Sequence, residues 1–143
     1  SWSGTAYHDM NWGEDPLEAA FRDWTWLRAQ RGGTTTVLYD VRRRDGTRLA
    51  FGRDFDGGDI LDRAVPPPHA LKRGFWGMPR PVLSEAKPVL KAALEDAPFY
   101  TRSRLEVTLD GRPCEAVHES LSLDRFAHPV VQRMLPFRMP RIS

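Results

Sequence analysis

The sequence has 143 residues, of which 41% are hydrophobic and 28% charged, a balance that fits one globular domain and disfavours two domains or a disordered chain. Its 18 Arg and 3 Lys barely exceed its 19 acidic residues, so the net charge of +2 is weak evidence for nucleic-acid binding. The single Cys114 excludes an internal disulfide and a multi-cysteine metal site, and the apolar runs are too short to span a bilayer.

The first third of the chain predicts strands. Residues 2–9 alternate loosely, and a second strand over 21–27 places Trp24 and Trp26 on one face and Thr25 and Leu27 on the other. Residues 34–55 then alternate around Asp45-Gly46. Because Asp-Gly between alternating runs is a strong hairpin signal, we predict a hairpin there.

The rest of the chain contains one more hairpin signal of the same kind. A second hairpin is predicted around Asp110-Gly111, joining 100–109 to 113–123. The Gly- and Pro-rich residues 56–82 predict irregular connection with at most one short strand. Residues 84–95 are the best helix candidate, although Pro88 weakens it, and 123–135 predict helical turns interrupted by Pro129. The fold class is therefore mainly β, an antiparallel barrel or sandwich with a short helix, over one domain spanning 1–143.

Several chemistries find no support in the sequence. It has no GxGxxG after a strand, P-loop, HExxH, CxxC or GxSxG, which removes nucleotide cofactors and zincin chemistry from consideration. His69, His118 and His128 are more typical of loop, capping or structural positions. The run Arg42-Arg43-Arg44 beside Asp45-Gly46 most simply belongs to a solvated hairpin, so no nucleic-acid partner is expected.

A cluster of chemically active side chains lies near the start. Tyr7, His8, Asp9 and Trp12 fall within residues 7–13, at the end of the predicted first strand. They favour either a site at a barrel mouth or a turn in which Asp9 and Asn11 bond to the backbone. No metal is expected, because adjacent His and Asp on a strand point to opposite faces.

A second cluster combines Trp24 and Trp26 with Tyr39 and Asp40. The Trp pair is typical of core packing or of a ligand cage. Asp40 interrupts a strand pattern in which Asp is disfavoured, so its carboxyl either faces solvent or lies in a cavity. Strict alternation places Tyr39 and Asp40 on opposite faces, and only a bulge or strand end would bring both to one cavity.

These segments together resemble one known family. Six segments carry the resemblance: Gly4-Thr5-Ala6-Tyr7-His8-Asp9-Met10-Asn11-Trp12-Gly13, Leu38-Tyr39-Asp40, and residues 16–18, 21–26, 118–126 and 135–141. They are similar to the C-terminal part of carotenoid 1,2-hydratases, also called hydroxyneurosporene synthases. The resemblance implies two lipocalin-like β domains, of which this chain is the second, and an abrupt start at Ser1 without Met fits that reading. It also implies hydration of the terminal 1,2 double bond of acyclic carotenoids without any cofactor.

The resemblance assigns roles to the candidate residues. Alkene hydration needs a proton donor and capture of a tertiary cation by water, and a carboxyl in an apolar cavity keeps its proton near neutral pH. We expect Asp40 as the donor, with Asp9 second. Tyr39, Trp12 and His8 are expected to position water or shield the cation, while Trp24, Trp26 and Tyr7 contact the polyene. Many family members carry His where Met10 stands, so a second imidazole is absent or replaced by His8.

Partners and rival functions follow from the same reading. The expected partners are an acyclic carotenoid, an N-terminal domain of the same protein and, through the basic and apolar tail over 133–141, the surface of a membrane. This predicts a cytoplasmic protein, peripheral on the inner face of a bacterial membrane. The rival function is a non-catalytic lipocalin-like binder of polyenes or lipids, which has no need of a buried carboxyl at Asp40.

Overall fold

The computed structural model describes residues 8, 10 and 12–137. Nine strands and three short helices lie within them. The strands are β1 (Phe21–Arg31), β2 (Thr34–Arg43), β3 (Arg48–Asp56), β4 (Asp59–Arg63), β5 (Pro68–Ala70), β6 (Pro81–Leu83), β7 (Val89–Asp96), β8 (Tyr100–Leu109) and β9 (Arg112–Ser122). The helices are α1 (Leu17–Ala20), α2 (Leu123–Phe126) and α3 (Pro129–Met134). The predicted mainly β class is confirmed.

The larger of two sheets has seven antiparallel strands in the order β4-β3-β2-β1-β9-β8-β7. Neighbours in sequence pair with each other except at the centre, where β1 pairs with β9. The sheet is not closed, and β5 and β6 form a separate two-stranded sheet. This arrangement is consistent with the predicted lipocalin-like barrel or sandwich.

Both predicted hairpins are confirmed. Asp45-Gly46 joins β2 to β3, and the Asp45 carboxylate accepts hydrogen bonds from the backbone N–H and the hydroxyl of Thr47 at 2.9 and 2.6 Å. Asp110-Gly111 joins β8 to β9 with φ angles of 53° and 67°. Positive φ at both central residues is what a type I′ turn requires, and Asp and Gly tolerate it.

The predicted helix over 84–95 is wrong, because residues 89–96 form β7 instead. Strand β7 pairs with β8 and contains two register shifts, between Leu90 and Ala92 and between Ala93 and Glu95. These irregularities hide the alternation that would have indicated a strand. Hydrogen bonding to a neighbouring strand overrides a weak helix propensity, which Pro88 lowers further.

The connection over 56–82 is more ordered than predicted, since β4, β5 and β6 lie within it or at its end. The interrupted helix at the end of the described chain is confirmed. Pro129 is the first residue of α3, and the ring of His128 accepts a hydrogen bond from the backbone N–H of Val130 at 3.3 Å, which makes His128 an N-cap.

The main hydrophobic cluster of the described residues lies on one face of the large sheet. Leu27, Leu38 and Leu105 on that face are fully buried, and they pack with Val82 and Leu83 of β6. Because side chains alternate along a strand, their neighbours Trp26 and Tyr39 project from the other face. The fold therefore leaves an aromatic sheet surface that β5 and β6 do not cover.

Candidate functional site

An apolar groove of about 680 Å³ lies on the second face of the sheet. We call it the aromatic groove, after the side chains of Trp24, Trp26, Tyr39, Phe51 and Phe55 that line it. These residues come from three adjacent strands, β1, β2 and β3, whose regular alternation sends them to the same side. The structure therefore brings the predicted site residues Trp24, Trp26 and Tyr39 together at one groove.

Three aromatic rings form a row across the groove. Trp26, Tyr39 and Phe51 are direct cross-strand partners. Tyr39 meets Trp26 edge to face, with ring centroids 6.5 Å apart, and stacks on Phe51 at 4.9 Å. Aromatic faces hold flat apolar ligands and attract cations, so this row suits both a polyene and a positively charged carbon.

Charged side chains continue the same row. Glu119 of β9 is the partner of Trp26 on one side and of Arg102 on the other, and both charged residues line the groove. The Glu119 carboxylate lies 3.3 Å from Nε of Arg102 and is 26% exposed. Glu119 is absent from the sequence-based candidates, although its alternation with Val117 and Leu121 on β9 places it on their face of the sheet.

The structure does not bring Asp40 to the groove. Strand β2 pairs with β1 and β3 without irregularity at this point, so Tyr39 and Asp40 face opposite sides of the sheet. The Asp40 carboxylate accepts hydrogen bonds at 2.6 and 2.7 Å from Nε and a terminal nitrogen of Arg48. This pairing raises the pKa of Arg48. Strict alternation predicts these opposite faces, and β2 has no bulge here that would bring both side chains to one cavity. The Asp40 carboxyl is held instead in a two-point ion pair.

The cluster over 7–13 is described in part. Met10 lines the aromatic groove, while His8 is exposed and the side chain of Trp12 is 87% exposed. The predicted site residues Tyr7 and Asp9 lie outside the described residues, as does most of the strand predicted over 2–9. Met10 thus links this segment to the mouth of the groove.

His118 lies on the core face and is fully buried. Its Nε2 is 2.8 Å from the hydroxyl of Thr25 and 2.9 Å from the carbonyl oxygen of Pro81 in β6. Burial lowers the pKa of His118 to about 4, so the ring is neutral at pH 7. These contacts tie β9 and β1 to β6 and give His118 a structural role.

Ion pairs with aspartates involve the arginines of the first hairpin. Nε of Arg42 donates to Asp23 at 2.8 Å, and a terminal nitrogen of Arg44 donates to Asp124 at 2.8 Å. Such pairing fits the solvated hairpin predicted for this run.

Within residues 8, 10 and 12–137, no three His, Cys, Asp or Glu side chains cluster as metal ligands would. No helix in this part of the chain has the length and hydropathy of a membrane span.

Comparison with known proteins identifies a family that the whole chain matches. The family model of the carotenoid hydratase CrtC matches residues 1–143. The acyclic carotenoid 1,2-hydratase of Thiocapsa roseopersicina is 48% identical over 146 residues, covering 99% of this chain and 36% of that protein. The enzyme of the same name from Rubrivivax gelatinosus is 39% identical, covering 98% and 36%, and that from Cereibacter sphaeroides is 38% identical, covering 98% and 51%.

The match covers nearly all of this chain but only part of each relative. The chain spans between about a third and a half of the length of these curated relatives. By its match to the family model along its whole length, the chain belongs to the carotenoid hydratase family CrtC.

Proposed function

We propose that this chain is part of a longer enzyme that adds water across the terminal 1,2 double bond of an acyclic carotenoid, giving a tertiary alcohol. The observation that carries the proposal is the aromatic groove, whose row of Trp26, Tyr39 and Phe51 offers π faces to a polyene end. Membership of the carotenoid hydratase family supports the choice of substrate class.

The reaction needs two things, and the groove is suited to the second of them. A proton must reach the less substituted alkene carbon, and the tertiary cation that results must survive until water attacks. A cation over a good aromatic face gains about 0.5–2 kcal/mol. Trp24, Trp26 and Tyr39 are the side chains that we assign to the polyene and the cation.

Two aspartates are candidates for the proton donor. Asp9, the second choice from the sequence, belongs to the segment whose Met10 lines the groove, and is our candidate for a polyene bound there. Asp40, the first choice from the sequence, acts as donor only for a polyene bound at the opposite face, after separation from Arg48. The variants Asp9→Asn and Asp40→Asn distinguish these routes, and we expect the first to lose activity and the second to retain it.

The segment before α1 completes the proposed site. His8 and Trp12 flank Met10, and we assign them to water positioning and to shielding the cation, with Tyr7 as a further polyene contact. Met10 replaces an imidazole found in many family members, so His8 is the imidazole that this segment retains. Neither a metal nor an organic cofactor has a part in this scheme.

Two partners belong to the proposal. Relatives two to three times as long as this chain favour an N-terminal domain of the same protein. The substrate dissolves in membranes, and the basic and apolar tail over 133–141 is our candidate for peripheral contact with an anionic bilayer, on the cytoplasmic side.

A binder without catalysis is the second candidate function. The observation that favours it is the Asp40–Arg48 ion pair, because it holds this carboxyl against an arginine and outside the aromatic groove. Such a protein would hold a polyene in the aromatic groove and release it unchanged.

One experiment separates the two functions. The full-length protein is incubated with lycopene or neurosporene, and the extract is analysed for the 1-hydroxy product by chromatography and mass spectrometry. The hydratase gives the tertiary alcohol, and Trp26→Ala lowers the yield. Quenching of tryptophan fluorescence by the polyene without any product would support the binder and refute the hydratase.

A further inference from the structure

We propose that Glu119 is the general base of the hydration, the group that accepts a proton from the water molecule that captures the cation. This inference rests on the proposed function, and it assigns a role to a carboxylate that lies in the aromatic groove itself. It concerns Glu119 with its two neighbours, Tyr100 and Arg102.

The position of Glu119 is the first argument. The residue sits on β9 at the centre of the sheet, directly opposite Trp26 on β1, and lines the same groove as Trp26 and Tyr39. Directly opposed side chains on neighbouring strands have Cβ atoms about 4.5–5.5 Å apart. A cation held over the Trp26 ring is thus within reach of a water molecule bound to the Glu119 carboxylate.

The partners of Glu119 are the second argument. Nε of Arg102 lies 3.3 Å from the carboxylate, and the hydroxyl of Tyr100 donates a hydrogen bond to it. Burial, followed by the negative charge of Glu119, raises the pKa of Tyr100 well above its usual range, so Tyr100 stays a donor. An arginine and a phenol together hold the carboxylate in one orientation.

The remaining oxygen surface of Glu119 is the third argument. With 26% of its side chain exposed, the carboxylate is open to water at the end of an otherwise aromatic row. The cross-strand ion pair with Arg102 accounts for a carboxylate on this face, and the exposed part of Glu119 leaves room for a water molecule beside the aromatic row. Activation of that water is the role that we assign to it.

The step balances with water as the sole co-reactant. After an acid has protonated the alkene, a lone pair of the water oxygen forms the new C–O bond to the tertiary carbon. One O–H bond of that water breaks, its electron pair stays on oxygen, and the proton moves to Glu119. Solvent then carries a proton from Glu119 back to the acid, which restores both groups.

The test measures the full-length protein and its Glu119→Gln variant. Gln keeps the size of the side chain and still accepts a hydrogen bond from Tyr100, but it cannot take a proton at neutral pH. We expect kcat to fall by about 100-fold, the usual scale for loss of a general base, with the concentration of polyene that half-quenches tryptophan fluorescence unchanged. Glu106→Gln is the matched control. Glu106 forms a cross-strand ion pair with Lys91 at 3.0 Å and is absent from the groove, so its loss should leave kcat unchanged.

A positioning role for Tyr100 gives a second readout. Tyr100→Phe keeps the ring and removes the hydrogen bond to Glu119, so we expect kcat to fall by roughly five- to tenfold. The same change made on top of Glu119→Gln should have no further effect, because both variants act through one group. A merely structural Tyr100 would give independent, multiplicative effects.

The outcomes separate this inference from the proposed function. Product formation by the Glu119→Gln variant within threefold of the wild-type rate would overturn the role of Glu119 and leave the hydratase intact. Loss of polyene binding in that variant would also overturn it, since a base acts after binding. A wild-type protein that makes no product removes both proposals. Should Glu119→Gln lower the melting temperature, Glu119→Asp retains the charge, and its shortened reach should still cost about tenfold in kcat.

Discussion

Mild acid is expected to destabilise this fold through the buried ring of His118. The ring is completely enclosed, and its Nε2 lies against the hydroxyl of Thr25 and the carbonyl of Pro81. Protonation would place a charge in the core with the cation of Arg80 as a further unfavourable neighbour. The neutral ring is therefore strongly preferred in the folded protein.

The sign and size of the effect follow from the two protonation equilibria. The pKa of His118 is about 4 in the folded protein, against 6.5 for an unperturbed imidazole. Between these values the unfolded chain binds more protons than the folded one, so the free energy of unfolding falls as the pH is lowered. The full effect, reached below pH 4, is about 3 kcal/mol, and about 2 kcal/mol of it is lost between pH 7 and pH 5.

Urea unfolding of the 143-residue chain at pH 7 and at pH 5, followed by tryptophan fluorescence, measures this loss. His118→Gln replaces the imidazole by a group that does not titrate, and its pH dependence over this interval should be smaller by about 2 kcal/mol. His128→Asn is the control, because His128 is exposed and Asn preserves the helix cap. Equal pH dependence in the wild type and in His118→Gln would refute the reasoning.

Three further predictions concern the sheet and its groove. A methyl group on Gly52 would sit 2.8 Å from a backbone oxygen of β4, so Gly52→Ala should lower the free energy of unfolding by about 1–3 kcal/mol in the same urea titration. Gly33→Ala is the control, because the space around Gly33 is open and the free energy of unfolding should change little. Arg48→Gln should cost about 1–3 kcal/mol in that assay, because it leaves the Asp40 carboxylate, with 13% of its side chain exposed, without its arginine, and no loss would contradict this. Tyr39→Ala removes the central ring of the aromatic row and should weaken polyene binding by about tenfold in fluorescence quenching, while Tyr39→Phe should not.

Local signals in the sequence were sufficient for the hairpins and for the two faces of β1. Asp110-Gly111 adopts the positive φ angles that its residue types favour, and Trp24 and Trp26 share a face because β1 alternates regularly along that stretch. Neither feature depends on distant parts of the chain. Patterns of this kind are readable without knowing which strands pair.

Features that depend on pairing between strands were harder to predict. Strand β7 contains two register shifts, and the sequence predicts a helix there because the alternation is broken where β7 meets β8. The surroundings of Asp40 depend on Arg48, which lies across the hairpin, and on the absence of a bulge in β2. Glu119 gains its place in the groove only when β9 pairs with β1, a contact between the two ends of the chain.

The central claim is that the aromatic groove serves the addition of water to a polyene end. The most direct measurement is the reaction of the full-length protein with lycopene in water enriched in oxygen-18 and, separately, in deuterated water, with the products analysed by mass spectrometry. The account predicts a tertiary alcohol that carries one oxygen-18 atom from the first solvent and one non-exchangeable deuterium on the neighbouring carbon from the second. Recovery of bound but unaltered lycopene from both solvents would contradict it.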